Sequence, residues 1–117
     1  MERFRFDAGA GFTPDNELLE QVTIAPLTPP GSVQAAIFRL SARGRIVRHQ
    51  ATVPQILAVL EGEGYVSGAD GEPEPIAAGE AVFWSAGEVH EAVSDSGLTA
   101  LVLEAEGLRP PLARSAD

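Results

Sequence analysis

Turn-forming residues recur along this chain at intervals of about 8 to 12 residues, and short apolar runs fill the spaces between them. The clearest turns are Thr28-Pro-Pro-Gly31 and Ala69-Asp-Gly-Glu72, and the second contains the Asp-Gly pair that hairpins favour. No segment has convincing helical periodicity, and Val22, Thr23 and Ile24 are residues that favour strands. This pattern predicts an all-β protein, a sandwich or barrel of about nine or ten short strands.

Each predicted strand is a short apolar or alternating run between turn signals. We expect one domain over residues 1–117, with an N-terminal arm over 1–16 that holds a strand and a flexible loop, and a loosely held tail over 107–117. The predicted strands are Arg3–Asp7, Leu18–Leu27, Val33–Leu40, Arg45–His49, Gln55–Glu61, Gly64–Gly68, Glu74–Ile76, Ala81–Trp84, Val89–Val93 and Leu98–Glu104.

The charge of the chain argues against nucleic acid and anionic membrane surfaces as partners. The net charge is -9, and the sequence contains no Lys and only 8 Arg. Binding to phosphate backbones requires clustered basic residues. The densest basic group has no aromatic residues among its members, and we expect it to protect an edge strand from aggregation. Its members are Arg39, Arg43, Arg45 and Arg48.

Two absences bear on location and chemistry. No apolar run approaches the roughly 18 residues that cross a bilayer, and the N-terminus lacks the apolar region of a signal peptide, so we expect a cytoplasmic protein. The chain contains no Cys, which excludes disulfides, thiolate metal sites and thiol nucleophiles. Any metal must therefore be held by nitrogen and oxygen.

The only two histidines, His49 and His90, lie within the stretch from Gly44 to Ser94. Both flank strand-like runs in this stretch, which resembles the paired motifs of the cupin superfamily. In the first family motif a Gly precedes His-x-His, a Glu and a second Gly; in the second, a Gly precedes Pro-x-Gly, a His and an Asn. The first motif corresponds here to Gly44, His49, Ala51, Gln55 and Gly62, and the second to Gly79, Ser85, Gly87, His90 and Ser94.

The resemblance implies a double-stranded β-helix, the jelly-roll β-barrel of cupins, and a position for one divalent metal. His49, Gln55 and His90 occupy three of the four ligand positions of metal-bearing cupins, and Ala51 replaces the fourth ligand, a histidine. Two imidazoles and an amide oxygen carry no charge to offset a dication. They are poor ligands for Mg or Ca, whereas imidazole suits Zn, Ni, Cu or Fe.

A metal-free pocket is the alternative. Strand alternation then points Gln55 into the barrel beside Leu57 and Val59, as a hydrogen-bonded pocket residue. Because a histidine and a carboxylate are missing, a small-molecule binding module is favoured over a metal-dependent enzyme of oxygenase or isomerase type. Whether the protein is an enzyme stays open. The resemblance also implies a homodimer, in which the strand Arg3–Asp7 adds to the partner's sheet.

Overall fold

The computed structural model describes residues 1–111, and the predicted all-β fold is confirmed. Within this range the structure contains no helix with the length and hydropathy needed to cross a bilayer. The one 3-10 helix is Ala8–Ala10, and the strands are β1 Leu19–Pro26, β2 Val33–Gln50, β3 Gln55–Ser67, β4 Glu74–Ala77, β5 Ala81–Trp84, β6 Val89–Ser94 and β7 Leu98–Ala105.

Two long strands, β2 of 18 residues and β3 of 13 residues, hold the barrel together. The first part of β2 pairs with β7 and its second part pairs with β6. The strand β3 likewise pairs with β7 first and with β6 afterwards. The four strands therefore close into a ring. The strand β1 flanks β2, while β4 and β5 flank β3.

Glycines let the long strands bend from one side of the barrel to the other. A Cβ atom added to Gly44 would lie 2.7 Å from the carbonyl oxygen of Gln21 and 2.8 Å from that of Ser41. Gly62 has φ +84°, and a Cβ there would collide with the carbonyl of Gly97. Neither position has room for a side chain, and a positive φ is readily adopted only by glycine. These glycines therefore permit bends inside strands.

The strand count from the sequence was therefore too high. The predicted strands Val33–Leu40 and Arg45–His49 belong to one strand, β2. The predicted strands Gln55–Glu61 and Gly64–Gly68, apart from Gly68 itself, belong to β3. The breaks predicted between these runs are the bends described above. In contrast, the Asp-Gly turn after β3 lies outside the strands, as predicted.

The predicted strand Arg3–Asp7 is absent from the structure. Phe4 and Phe6, whose spacing suggested a half-buried strand, are 68% and 48% exposed. Asp7 instead caps the 3-10 helix, since its Oδ1 accepts a hydrogen bond from the backbone N–H of Ala10 at 3.1 Å. Exchange of this segment within a homodimer stays a prediction. The predicted tail over 107–117 lies in part, at 112–117, outside the described residues.

Three of the four arginines of β2, namely Arg39, Arg45 and Arg48, have side chains that donate hydrogen bonds within the chain. They do not protect an edge, because β2 pairs on both sides. Arg45 donates to the Glu91 carboxylate at 2.7 Å. Arg48 donates to the Ser67 hydroxyl and to backbone carbonyls in the loop that follows β3. Arg39 donates to the carbonyl of Phe6 at 2.9 Å. These groups tie strands and loops to one another.

Alternating residues of the strands point inward and form the core. Burying one Leu or Val side chain in this way contributes about 2 kcal/mol to folding. The core residues are Val22, Leu40, Ile46, Leu57, Val59, Val66, Ile76, Trp84, Ala92, Leu98, Ala100 and Val102.

Candidate functional site

A shift in strand register brings the two histidines face to face. Ile46 of β2 lies opposite Ala92 of β6, and regular pairing from there would place Arg48 opposite His90. The register shifts between Ile46 and His49, so that His49 takes that place instead. One extra residue in a strand redirects its side chains in this way. The imidazole centroids of the pair are 4.5 Å apart, at an angle of 54°.

Both histidines make the same local hydrogen bond. Nδ1 of His49 lies 2.7 Å from the carbonyl oxygen of Val47, and Nδ1 of His90 lies 3.1 Å from that of Glu88. A carbonyl can only accept, so the proton belongs on Nδ1 and each Nε2 keeps its lone pair. The bonds fix both ring orientation and tautomer, as they do in many metal-binding histidines.

Burial separates the two rings. His90 is 1% exposed and packs against Trp84, with ring centroids 4.3 Å apart. The indole Nε1 of Trp84 donates to the carbonyl of Ser67 at 3.1 Å, which holds the indole in place. Burial lowers the pKa of His90 below its ordinary value, and the nearby His49 acts in the same direction. The hydrogen bond to the Glu88 carbonyl opposes this shift. His90 is therefore a neutral member of the core.

His49 instead lines a cavity of about 210 Å³ that is partly open to solvent. Gln55 and Leu57, both predicted from the sequence, line the same cavity. The other two predicted residues, His90 and Val59, are not among its lining residues; they are packed in the core. The structure thus brings three of the five predicted residues to one cavity and places the other two behind its wall.

A polar row crosses one side of the barrel and supplies a residue that the sequence analysis missed. Gln34 of β2 pairs with Glu104 of β7, which pairs with Gln55 of β3, which in turn pairs with Trp84 of β5. Glu104 lines the His49 cavity. Its position follows from alternation, since it is two residues beyond the buried Val102 in β7. That alternation was a signal present in the sequence.

A second, more apolar cavity of about 380 Å³ adjoins the first. The two share five wall residues, so we describe them together as the paired cavity. At the far end the second cavity is lined by apolar side chains that include Phe12, Ile24, Pro29 and Pro30. The part near His49 therefore has a larger polar share than the second part, and both parts are mainly apolar. The shared wall residues are Asn16, Leu19, Phe38, Val102 and Glu104.

A larger groove of about 820 Å³ lies elsewhere, around the bend at Gly62. Its walls include Gln21, Ser41 and Gly97, which belong to the bends and turns of the barrel. None of the predicted site residues lines it. The chemistry available to His49 therefore belongs to the paired cavity.

The residues present fit only a weak metal site. Two lone pairs on Nε2 and the amide oxygen of Gln55 form a neutral donor set suited to Zn, Ni, Cu or Fe. Among residues 1–111, no three His, Cys, Asp or Glu side chains are grouped to hold an ion. Ala51, at the position of the missing histidine, is 3% exposed and offers no donor. Glu104 lines the cavity but is not grouped with the two histidines, so a metal held by them would lack a carboxylate ligand.

The family is decided by a match over most of the chain. A model of the cupin domain matches residues 36–105, a range that contains both histidines, Gln55 and Glu104. The chain belongs to the cupin family. The predicted cupin jelly-roll barrel is therefore confirmed. No functionally curated protein matches this cupin.

Solved structures with the same fold have different functions. The polyketide cyclase RemF from Streptomyces resistomycificus is 24% identical, with a TM-score of 0.78 over 100% of this chain and 89% of that one. An RmlC-like cupin from Shewanella frigidimarina is 19% identical, with a TM-score of 0.75 over 99% and 96% of the two chains.

A predicted oxalate decarboxylase from Thermotoga maritima is 24% identical, with a TM-score of 0.64 over 70% of this chain and 77% of that one. These cupins share the barrel, and at such identities the likeness extends to the fold alone. Function must be argued from the site.

Proposed function

We propose that this cupin binds a small amphipathic molecule in the paired cavity and does not require a metal to do so. The observation that carries the proposal is a cavity that holds the polar groups of His49, Gln55 and Glu104 and adjoins a more apolar cavity of about 380 Å³. Ligand sites are typically concave and largely apolar, with a few polar groups that fix orientation. The paired cavity has this composition.

The wall residues suggest the shape of the ligand. Phe38, Ile24 and the two prolines Pro29 and Pro30 offer flat or rigid apolar surfaces that suit a ring system. At the other end, His49 and Gln55 offer hydrogen-bonding groups. The similarity to RemF, a polyketide cyclase, agrees with a ring-containing ligand. A molecule with an apolar ring body and one polar end would fill both parts.

Calorimetric titration with 1-naphthol tests the proposal. The variant Ala36→Phe fills the apolar part, where Ala36 lines the wall, and should weaken binding at least about tenfold, or roughly 1.4 kcal/mol. The control Ala81→Phe makes the same change at an exposed position of β5. It should bind as the wild type does. Equal binding by wild type and Ala36→Phe, or none by the wild type, would contradict the proposal.

A metal-dependent enzyme of oxygenase or isomerase type is the second candidate. It is favoured by the Nδ1 hydrogen bonds of His49 and His90, which leave both Nε2 atoms able to coordinate. A bound Zn, Ni, Cu or Fe would act as a Lewis acid on a small-molecule substrate. The chain itself would orient the two imidazoles and provide the apolar wall that excludes water.

Elemental analysis distinguishes the two candidates. Untagged protein purified without added metal or chelator is compared with His49→Ala, which removes the donor that lines the cavity. Near-stoichiometric metal in the wild type, lost in the variant, would favour the enzyme. Wild-type protein that contains no metal and ignores titrated Zn and Ni would eliminate it and leave the binding module.

A further inference from the structure

The paired cavity has a single charged residue. Of the side chains that line its two parts, only Glu104 carries a formal charge at neutral pH. No Arg is among the lining residues, so the walls offer no positive partner for an anionic ligand. The remaining polar groups are amides such as those of Asn16 and Gln55, the His49 imidazole, and the hydroxyls of Thr28 and Thr52. The charge balance of the cavity is therefore set by one carboxylate.

The Glu104 carboxylate has no cationic partner within residues 1–111. The ion pairs in this range involve Arg5 and Arg45, neither of which reaches Glu104. Its neighbours across the sheet are Gln34 and Gln55, which are uncharged. Holding a partly buried carboxylate without a partner is unfavourable, and a cation placed beside it recovers part of that cost.

We propose that Glu104 selects the ligand by charge, so that the paired cavity takes an apolar ring body that bears a protonated amine. This inference rests on the proposed function and specifies the ligand that function would take. An ammonium has three donors and no acceptor. Glu104, Gln55 and His49 line the same cavity, and each side chain has an acceptor: a carboxylate, an amide oxygen and a ring nitrogen. An anion would instead be repelled by Glu104 and by the net charge of -9.

Three probes with one ring body separate charge from shape. They are 1-naphthylmethylamine, a cation, 1-naphthalenemethanol, which is neutral, and 1-naphthoate, an anion. In calorimetric titrations of the wild type, the amine should bind about tenfold more tightly than the alcohol, as expected for a hydrogen bond to a charged group. The naphthoate should bind at least about tenfold more weakly than the alcohol.

Variants assign the preference to one side chain. Glu104→Gln keeps the shape and should lower affinity for the amine about tenfold while leaving the alcohol within about twofold. Glu104→Asp keeps the charge and should retain most of the preference. Glu106→Gln removes an equal charge from an exposed residue two positions along the chain and should change amine binding less than about threefold. Thermal unfolding of each variant checks that it is folded.

Each outcome decides between the two proposals. If the alcohol and the amine bind the wild type equally, or Glu104→Gln leaves the amine unaffected, charge selection is wrong and the binding function stands. If the naphthoate binds best, charge selection is also wrong. If none of the three probes binds the folded wild type, the proposed function fails and the inference fails with it.

Discussion

His49 and His90 form one cross-strand pair and make the same bond to a backbone carbonyl, yet they belong to different parts of the molecule. His90 is enclosed by Trp84 and the core, while His49 faces the paired cavity. The difference arises because Trp84 packs against the ring of His90, whereas the ring of His49 borders the cavity. Local hydrogen bonding is therefore the same for the two histidines, and packing places one in the interior and one at the site.

The comparison predicts unequal costs of removing the two rings. His90→Ala should lower the free energy of unfolding by about 3 kcal/mol, because it opens a cavity beside Trp84 and leaves the Glu88 carbonyl without a partner. His49→Ala should cost about 1 kcal/mol, since water in the cavity can replace its hydrogen bond. Urea unfolding of both variants checks this. Equal decreases in the free energy of unfolding would show that the different packing of the two rings does not affect stability.

Restoring the missing ligands tests whether the cavity side can become a strong metal site. The double variant Ala51→His with Gln55→Glu should raise zinc affinity about 100-fold, because it adds one imidazole and one negative charge to the donor set. Competition with a chromophoric chelator measures the change.

Gln50→Glu is the matched control for this experiment, because it adds the same charge at an exposed residue lining the same cavity. Its zinc affinity should stay within about threefold of the wild type. Gln55→Glu alone, which adds no bulk at the buried Ala51, should give about a tenfold gain. An unchanged affinity in a folded double variant would mean that the two histidines cannot act together.

Removing part of the indole that packs on His90 should give this histidine more access to water, as His49 already has. Trp84→Phe removes the hydrogen bond to the Ser67 carbonyl and part of the surface on which His90 packs. We expect a loss of about 1.5 kcal/mol in stability and a rise in the pKa of His90 toward its ordinary value, as water reaches the ring. An NMR titration of the imidazole signals measures the second effect.

Phe83→Leu changes the neighbouring residue on the opposite face of β5 and serves as the control. It should leave the pKa of His90 unchanged. If Trp84→Phe also leaves it unchanged, the indole is not what keeps water from this histidine.

The smallest expected effect is on the pH dependence of stability. Burial lowers the pKa of His90 from the ordinary 6.5; His49 and Arg48 add to this, while Glu88 opposes it through its carbonyl bond and its charge. Above 6.5 the folded and unfolded states are both neutral at this residue. Below 6.5 the unfolded state binds a proton that the folded state binds less readily, so stability falls with falling pH.

Urea unfolding at several pH values between about 7.5 and 5 measures the effect. This range brackets the ordinary histidine pKa of 6.5. The variant His90→Gln lacks the titrating group and should lose less stability over the same range. If its pH dependence matches that of the wild type, other groups are responsible.

The fold could be predicted from the sequence because turn spacing and the paired motifs are local patterns. The strand number could not, since Gly44 and Gly62 look the same in sequence whether they end a strand or bend it. Their role depends on the carbonyls that approach them from other strands. The prediction of a strand at Arg3–Asp7 was wrong for a related reason. Alternation of polar and apolar residues does not show whether another strand is available to pair with the segment.

The candidate site was predictable in part. Alternation from Gln55 predicts Leu57 and Val59 on the same face of β3, and of these two only Leu57 lines the cavity. The burial of His90 could not be predicted from the sequence, because it depends on Trp84 of another strand and on a register shift in β2. Glu104 lay within the reach of the same alternation rule, but its partners Gln34 and Gln55 come from strands distant in sequence.

The closed ring of β2, β6, β3 and β7 also bears on how the protein reaches its native state. The strand β7 is the last of the described strands and lies between β2 and β3, which were synthesised long before it. Until it inserts, both partners expose unpaired backbone groups along the segments that begin at Val33 and Gln55. Such edges invite pairing with other chains. Insertion of β7 therefore competes kinetically with aggregation. The barrel cannot close until β7 has emerged from the ribosome.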